Sequence, residues 1–380
     1  MFAQAEEPDH RRQLRESVQD FVAREATGRN IRAALALPEA FCRTRWRRMA
    51  ELGWTAVLIA EEDGGFGLQH GDLVALHQEF GRGAFPEPLI GVALLAARTI
   101  AGSANAALKR DRLPALTGGR LIATLAWQGR PGVLGADGVG PVAVRRTGGW
   151  SVSGTALCVP LAPVADAAIV AARTADGVLL GWLPALDGCE VEATPFADGS
   201  RHGAVRFRDV VVPDDRVLAV GPAGEALLEE TLDTARLAAC AELLGGMERT
   251  LTMTLDHLRQ RQQFGKPIGS FQALQHRAVD LYVQVELARS ALARATAAHD
   301  DGADAAQRAA AVSAAKSRCS DAALLVAKQA IQLHGAIGYT DEYDLSLFVR
   351  RALVRAAELG NAVAHRARYA RINRLAGGEE

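Results

Sequence analysis

Residues 261–276, RQQFGKPIGSFQALQH, break an otherwise helical run with side chains suited to holding a ligand. Arg261 carries a planar, permanently charged guanidinium that can grip two phosphate or carboxylate oxygens at once. Gln272 and Gln275 can each donate and accept hydrogen bonds. Phe264 offers an apolar wall, and glycine beside it lets backbone N–H groups approach an anion. The plainer reading of the same residues is a Gly/Pro connection between two amphipathic helices.

The rest of the chain sets bounds on that chemistry. It has 380 residues, a formal net charge of −1 and 49% hydrophobic residues. That length calls for two or three domains. The charge gives no overall basic excess to drive binding to nucleic acid or an anionic membrane. The Arg-rich stretch RTRWRRMAEL has helical spacing and reads as a solvated face. Five cysteines without a CxxC pair argue against a disulfide framework or a zinc site. Cys240 and Cys319 fall in Ala-rich helical stretches and read as small core residues. The polar start shows no signal-peptide core, and no apolar run reaches about 18 residues. The expectation is a soluble cytoplasmic protein.

Three textures follow one another. Residues 1–120 carry helical periodicity, with Leu14, Val18, Phe21 and Val22 on one stripe and Pro86 and Pro88 dividing a later run into two helices. Residues 121–220 switch to short β-rich runs separated by Gly, Pro and Asp. Among them AVRRTGGWSVSG reads as strand, Gly-Gly turn and strand. Residues 221–380 return to long Ala-rich helices, one before the elbow and several after it, as in a four-helix bundle. The third of these is ended by Gly335, and the terminal AGGEE reads as a frayed tail.

This order of textures, with ELGWTAVLIAEEDGGFG, VRFRDVVVPDDRVL, RQQFGKPIGSFQALQHRAVDLYVQVELAR and AIQLHGAIGYTDEYDL in sequence, resembles the acyl-CoA dehydrogenase family over nearly the whole chain. The resemblance implies an α+β fold: an N-terminal helical domain, a β-barrel-like middle and a C-terminal four-helix bundle, usually assembled as tetramers. It also implies FAD. In such proteins the elbow reaches a neighbouring subunit's FAD at its pyrophosphate and adenosine end. That assigns cofactor contacts to Arg261, Gln263, Phe264 and Gln272. The QLHGAIG stretch, with Gln332, Gly335 and Gly338, is then the second half of the same nucleotide cradle.

The chain also departs from the family's pattern. The Thr-Glu-Pro and Gly-Ser motifs are absent from TLAWQGRPGVLGADG. In GTALCVPLAPVAD, Cys158 stands where the family has Trp, and Pro160 where it has a Thr that contacts the flavin ring. Proline brings neither a hydroxyl nor an N–H. The family's late catalytic Glu aligns with Leu359, and Glu358 lies one residue early, about 100° away on a helix. The alternative base position on the first bundle helix is Ala235. Glu242 returns to nearly that face two turns later. Amid AACAELLGG its carboxylate would be desolvated and its pKa raised, which suits a general base. Equally, it could be satisfied by an Arg or a backbone group within the bundle. Asp233 and Arg236 match positions near the CoA pantetheine, or form a surface helix pair.

The resemblance therefore points to FAD-dependent α,β-dehydrogenation of an acyl-CoA thioester, with electrons passing to an electron-transfer flavoprotein. An intact FAD-tail half beside an altered ring-and-base half resembles the small subunit of bacterial heteromeric enzymes of the steroid side-chain and pimeloyl-CoA types. Such a chain works with a second acyl-CoA dehydrogenase-like subunit. Alternatives are a self-sufficient homo-oligomer, a non-catalytic homologue and a different flavin reaction on the same fold.

Overall fold

The computed structural model describes residues 7–376; the tail beyond them, expected to fray, lies outside. The N-terminal part is helical: α1 (Asp9–Glu25), α2 (Gly28–Leu35), α3 (Arg43–Glu51) and α4 (His70–Gly83). A π-helical segment, Leu89–Ala97, then leads into α5 (Arg98–Ala101) and α6 (Ala106–Thr117). The break between α4 and the π-helix falls at Pro86 and Pro88, whose rings and missing N–H groups cannot continue a helix. All nine residues of the π-helix are buried.

Eight strands follow: β1 (Ala123–Ala126), β2 (Val142–Arg146), β3 (Gly149–Pro160), β4 (Ala167–Thr174), β5 (Gly177–Leu183), β6 (Glu190–Pro195), β7 (Arg201–Pro213) and β8 (Val217–Ala219). They form one mixed sheet in the order β6-β7-β3-β2-β4-β5-β8, with β1 added parallel to β4. The β2–β3 hairpin is centred one residue earlier than the Gly-Gly reading: Arg146 pairs with Gly149, leaving Thr147 and Gly148 in the turn. The sheet curls so that β5 faces β7. A Cβ on Gly181 would lie 2.7 Å from Val212 Cγ1, so only glycine allows that approach. Val152, Val170, Leu179, Val205, Phe207 and Val212 fill the interior.

The C-terminal part is α7 (Pro222–Gln260), a short hairpin of β9 (Gln262–Gln263) and β10 (Lys266–Pro267), α8 (Gln272–Asp300), α9 (Ala305–His334), α10 (Leu345–Ala357) and α11 (Ala362–Ala376). Helix α9 starts at a reciprocal cap: Asp304 accepts from the Gln307 N–H at 2.8 Å, and Gln307 Oε1 accepts from the Asp304 N–H at 3.3 Å. It stops at Gly335, whose φ of 68° is easy for glycine and costly for other residues.

The chain packs as two interleaved compact units. Among the described residues, one comprises 7–31, Gln69–Phe85 and 237–376; the other comprises Arg32–Leu68 and Pro86–Arg236. In the second unit the Arg-rich stretch corrects its reading as a wholly solvated face. Arg45 is buried beside Trp46 and Met49, and its guanidinium meets the buried Glu87 at 2.7 Å. None of the described helices is long and apolar enough to cross a membrane.

In the first unit, Leu244, Met247, Leu281, Val285 and Val326 make the bundle core together with Cys240 and Cys319, both free thiols. A fully buried lysine crosses this core. Lys316 Nζ donates to the carbonyls of Arg355 (3.0 Å), Ala356 (3.1 Å) and Gly360 (2.9 Å) and to Ser320 Oγ (3.1 Å). An ammonium suits the carbonyl-rich C-terminus of α10. Substituting Lys316→Met removes one donor from three carbonyls at once. With each unsatisfied buried acceptor costing about 1–3 kcal/mol, urea unfolding should show a loss of at least about 2 kcal/mol. An unchanged midpoint would mean that the ammonium does not hold this turn.

Candidate functional site

The elbow is a tight β-hairpin. Gln263 pairs with Lys266, leaving Phe264 and Gly265 as a two-residue turn, with φ values of 52° and 78°. Both positions need left-handed backbone, as in type I′ turns, which favour Asn-Gly. A phenylalanine there is strained, and its ring is 90% exposed. Phe264 makes an edge contact with Phe271, centroids 6.1 Å apart, and Lys266 Nζ sits 4.4 Å above the Phe271 ring. The hairpin is thus braced while Arg261, Gln263 and Phe264 stay exposed, and Gln272 is exposed at the first position of α8.

The HGAIG turn is a 3-10 segment, Gly335–Tyr339, directly after α9. Gln332 and Gly335 are exposed and Gly338 is buried, where a Cβ would lie 3.0 Å from the Ile331 carbonyl. The elbow and the turn are linked by their preceding histidines. His257 lies four residues before Arg261, and its ring stacks on His334 at 4.5 Å. Nothing in the periodicity of the sequence singled out this contact; a histidine just before each motif was the available signal.

The carboxylates behave differently. Glu242 is buried on α7 and receives three charged or polar neighbours. Arg355 Nε donates to it at 2.8 Å, Arg351 Nη2 at 3.3 Å, and His77 Nδ1 lies 3.1 Å from its other oxygen. Burial by itself raises the Glu242 pKa, but Arg355, Arg351 and His77 together overrule it and hold the value at about 2. The expectation of a raised pKa is therefore corrected: the helix face is small and apolar, but α10 delivers two guanidiniums to it. Arg351 and Arg355 stand one helical turn apart on a single face. Their i, i+4 spacing was visible in the sequence; their destination was not.

Glu358 lies just past α10 in extended backbone, so the rotation of about 100° per helical residue does not describe it. Its carboxylate also bonds Arg355. Leu359, at the family's base position, is buried with φ 57°, and its carbonyl is paired with His365 Nε2 at 3.0 Å. The close approach of α4 to α7 exposes nothing further. A Cβ on Gly81 would lie 2.1 Å from the Glu242 carbonyl oxygen.

In the other unit, Asp233 and Arg236 are not a surface pair. Both are buried, 2.7 Å apart, with Glu229 3.5 Å from the same guanidinium. Around the Cys158–Leu161 stretch two backbone donors are committed within the chain. The Leu157 N–H bonds the Gln128 carbonyl (2.6 Å), the Leu161 N–H bonds the Arg201 carbonyl (2.7 Å), and Pro160 has none. Cys158 and Leu161 take φ values of 53° and 61°, and Gly91 of the π-helix packs against Pro160 and Leu161.

In chain order a curled sheet lies between helical segments, and an exposed arginine hairpin and a glycine turn follow, the order of elements that the resemblance to acyl-CoA dehydrogenases implies. Residues 8–120 match the family model described as acyl-CoA dehydrogenase, N-terminal domain, and residues 223–378 match that for the C-terminal domain. The chain is 33% identical over 348 residues to acyl-CoA dehydrogenase IpdE2 of Mycobacterium tuberculosis, covering 91% of each. IpdE2 of Mycolicibacterium smegmatis is 31% identical over 357 residues, 93% of this chain and 95% of that one. Among solved structures, the steroid ACAD Tcur3481-Tcur3483 superposes with a TM-score of 0.88 at 30% identity, covering 98% of this chain and 99% of that one. The ChsE4-ChsE5 complex from Mycobacterium tuberculosis gives 0.89 at 25% identity, covering 99% of each. The chain belongs to the acyl-CoA dehydrogenase family, oxidoreductases acting on CH–CH groups with FAD as cofactor.

The Glu242 cluster makes its own prediction. A carboxylate whose folded pKa is depressed from 4.5 to about 2 contributes stability that is fully present above 4.5 and lost as pH falls through about 2. Glu242→Gln removes the buried anion that Arg355 and the half-buried Arg351 share, and breaking such a buried pair costs about 3–5 kcal/mol at neutral pH. Denaturant unfolding across that acid window should show a shallower pH dependence in the variant than in the parent.

Proposed function

We propose that this chain is one subunit of a heteromeric FAD-dependent acyl-CoA dehydrogenase, paired with a second acyl-CoA dehydrogenase-like chain. It lends Arg261, Gln263, Phe264, Gln272 and the Gln332, Gly335 and Gly338 turn to the nucleotide end of an FAD whose ring lies in the partner. The observation that carries this reading is an asymmetry. The residues suited to a diphosphate stand exposed on a braced hairpin, while both candidate bases, Glu242 and Glu358, are tied to Arg355. A general base works best with a pKa near the operating pH, and Glu242 is held far below it.

The fit to FAD is correspondingly split. Arg261 gives a fork for phosphate oxygens, and the Gly335–Tyr339 turn gives a close-approach surface. The Cys158–Leu161 stretch offers a flavin ring no hydroxyl at position 160 and no spare backbone donor at 157, 160 or 161. Bound FAD supplies the acceptor for the hydride that leaves the substrate β-carbon. In this reading the α-proton goes to a carboxylate of the partner, and electron-transfer flavoprotein is the onward acceptor. Asp233 and Arg236, a buried pair, are proposed to line an acyl-CoA path as a fixed dipole. Two of the similar structures are pairs of differently named chains, and one is described as a steroid enzyme. A steroid-derived acyl-CoA is therefore the favoured substrate class.

The test is the visible spectrum of the purified chain, alone and after co-expression with a candidate partner. The chain alone should be nearly colourless and the pair yellow. Arg261→Ala in the pair should lower FAD affinity by about 10- to 100-fold, the worth of charge-assisted hydrogen bonds of roughly 1.5–3 kcal/mol. A full flavin band in the chain alone, bleached by an acyl-CoA, would overturn the reading in favour of a self-sufficient enzyme.

A further inference from the structure

Two motifs some seventy residues apart must act as one cradle if the proposed cofactor reading holds. Helix ends fray, and each motif follows a helix end directly. Something must keep the ends of α7 and α9 in register.

We infer that His257, His334 and Tyr343 form a neutral aromatic clamp that positions the Arg261 elbow against the Gly335–Tyr339 turn. The geometry is specific. His257 sits in the last turn of α7, and its carbonyl accepts the Arg261 N–H at 2.9 Å. His334 is the last residue of α9. The two rings stack at 4.5 Å with 28° between their planes, and the Tyr343 ring lies 5.2 Å from His334. His334 Nδ1 is 2.8 Å from the Ala330 carbonyl, which can only accept, so Nδ1 carries the proton. Nε2 is then left with its lone pair toward the Tyr343 hydroxyl, 3.3 Å away, which donates. The neutral tautomer of His334 thus uses both ring nitrogens, and the clamp closes with no charge inside it.

A proton on either ring opposes that arrangement. On His334 Nε2 it would face the Tyr343 hydroxyl in place of the lone pair. On either ring it would put a cation 4.5 Å from the other imidazole. The charged groups around the clamp do not favour protonation. Arg261 beyond α7 and Arg249 within it are cations near His257 and Tyr343 respectively. Asp256 on α7 is engaged by Arg259 at 3.1 Å. Asp344, next to Tyr343, raises the phenol's pKa after burial, which raises it more. Burial lowers the pKa of both histidines, the Ala330 and Met253 carbonyls offset part of that for His334, and His334 and Arg261 lower that of His257 further. The folded values lie below the ordinary 6.5, so the clamp's contribution is fully present above 6.5 and is lost as pH falls through the lower folded values.

This inference rests on the proposed cofactor reading only for what the cradle holds; the clamp itself is read from backbone protection. Hydrogen–deuterium exchange on the FAD-loaded pair, or on the chain if it is stable alone, should follow segments 257–271 and 334–343. At about pH 7.5, His257→Ala should speed exchange in both segments by about 3- to 10-fold, the worth of one aromatic pair. His257→Phe, which keeps a flat ring, should restore protection and flatten its decline toward about pH 5.5. Tyr343→Phe, which leaves no void, should loosen 334–343 by itself. FAD retained through desalting should fall with His257→Ala and recover with His257→Phe. Exchange that rises only in 257–271 would overturn the clamp, as would parent segments indifferent to pH. Coupled exchange in the co-expressed pair that holds no flavin would sink the cofactor reading and leave the clamp standing. Coupled exchange with unchanged FAD retention would overturn the positioning role.

Discussion

Arg355 is the side chain on which the C-terminal helices depend. Its guanidinium bonds Glu242 of α7 and Glu358 beyond α10, and its carbonyl is one of three held by the buried Lys316 of α9. Three helices and the turn into α11 therefore meet through one residue. The constraint is electrostatic. Ions placed in a low-dielectric core are tolerable only when each has a partner and its hydrogen bonds are filled. Glu242, Arg351, Arg355 and Glu358 balance in charge, and Lys316 is surrounded by carbonyl and hydroxyl oxygens. Removing Arg355 would break the links to both Glu242 and Glu358 at once, so this one residue ties α7, α9 and α10 together.

That fixed arrangement has a chemical consequence. A carboxylate in a core of alanine and leucine would resist ionisation; one flanked by two guanidiniums is locked in the ionised form. Such a group is a poor proton acceptor and a good structural anion. The proposed nucleotide-binding end is organised on the opposite principle. Its polar residues are held by backbone geometry and ring contacts, and their own hydrogen-bonding groups face outward. The left-handed phenylalanine at position 264 shows that this hairpin accepts strain to present an apolar ring at the surface. A site completed by another chain needs that kind of preorganised, outward-facing surface.

The unit that holds the sheet carries its own constraint in the stretch around Pro160. The β3–β7 ladder shifts register between Ala156 and Val159, two residues there take positive φ, and Thr124 Oγ1 donates to the Pro160 carbonyl at 2.5 Å. Beside it runs the wide, wholly buried π-helix, a geometry that is rare and concentrated at functional places. The Leu157 and Leu161 N–H groups and the Pro160 carbonyl are satisfied within the chain. This part of the fold is packed for its own stability.

The sequence by itself determined the order of elements and the position of the elbow and the glycine turn. Helical and alternating periodicities are local, so the long helices, the proline break before the π-helix and the strands β2 to β7 were legible from spacing, while the short β1 and β8 were not. The elbow and the glycine turn were legible because glycine, proline and arginine carry their chemistry in their types. The fate of buried charge was not legible. Glu242 lies more than a hundred positions from Arg351 and Arg355, Lys316 some forty from its carbonyls, and Arg45 forty-two from Glu87. Only tertiary packing decides which ions meet. A burial pattern predicts desolvation, but the sign of a pKa shift depends on the partner that arrives. The same holds for the His257–His334 stack, where two ordinary histidines at helix ends acquire a shared role only because α7 and α9 end side by side.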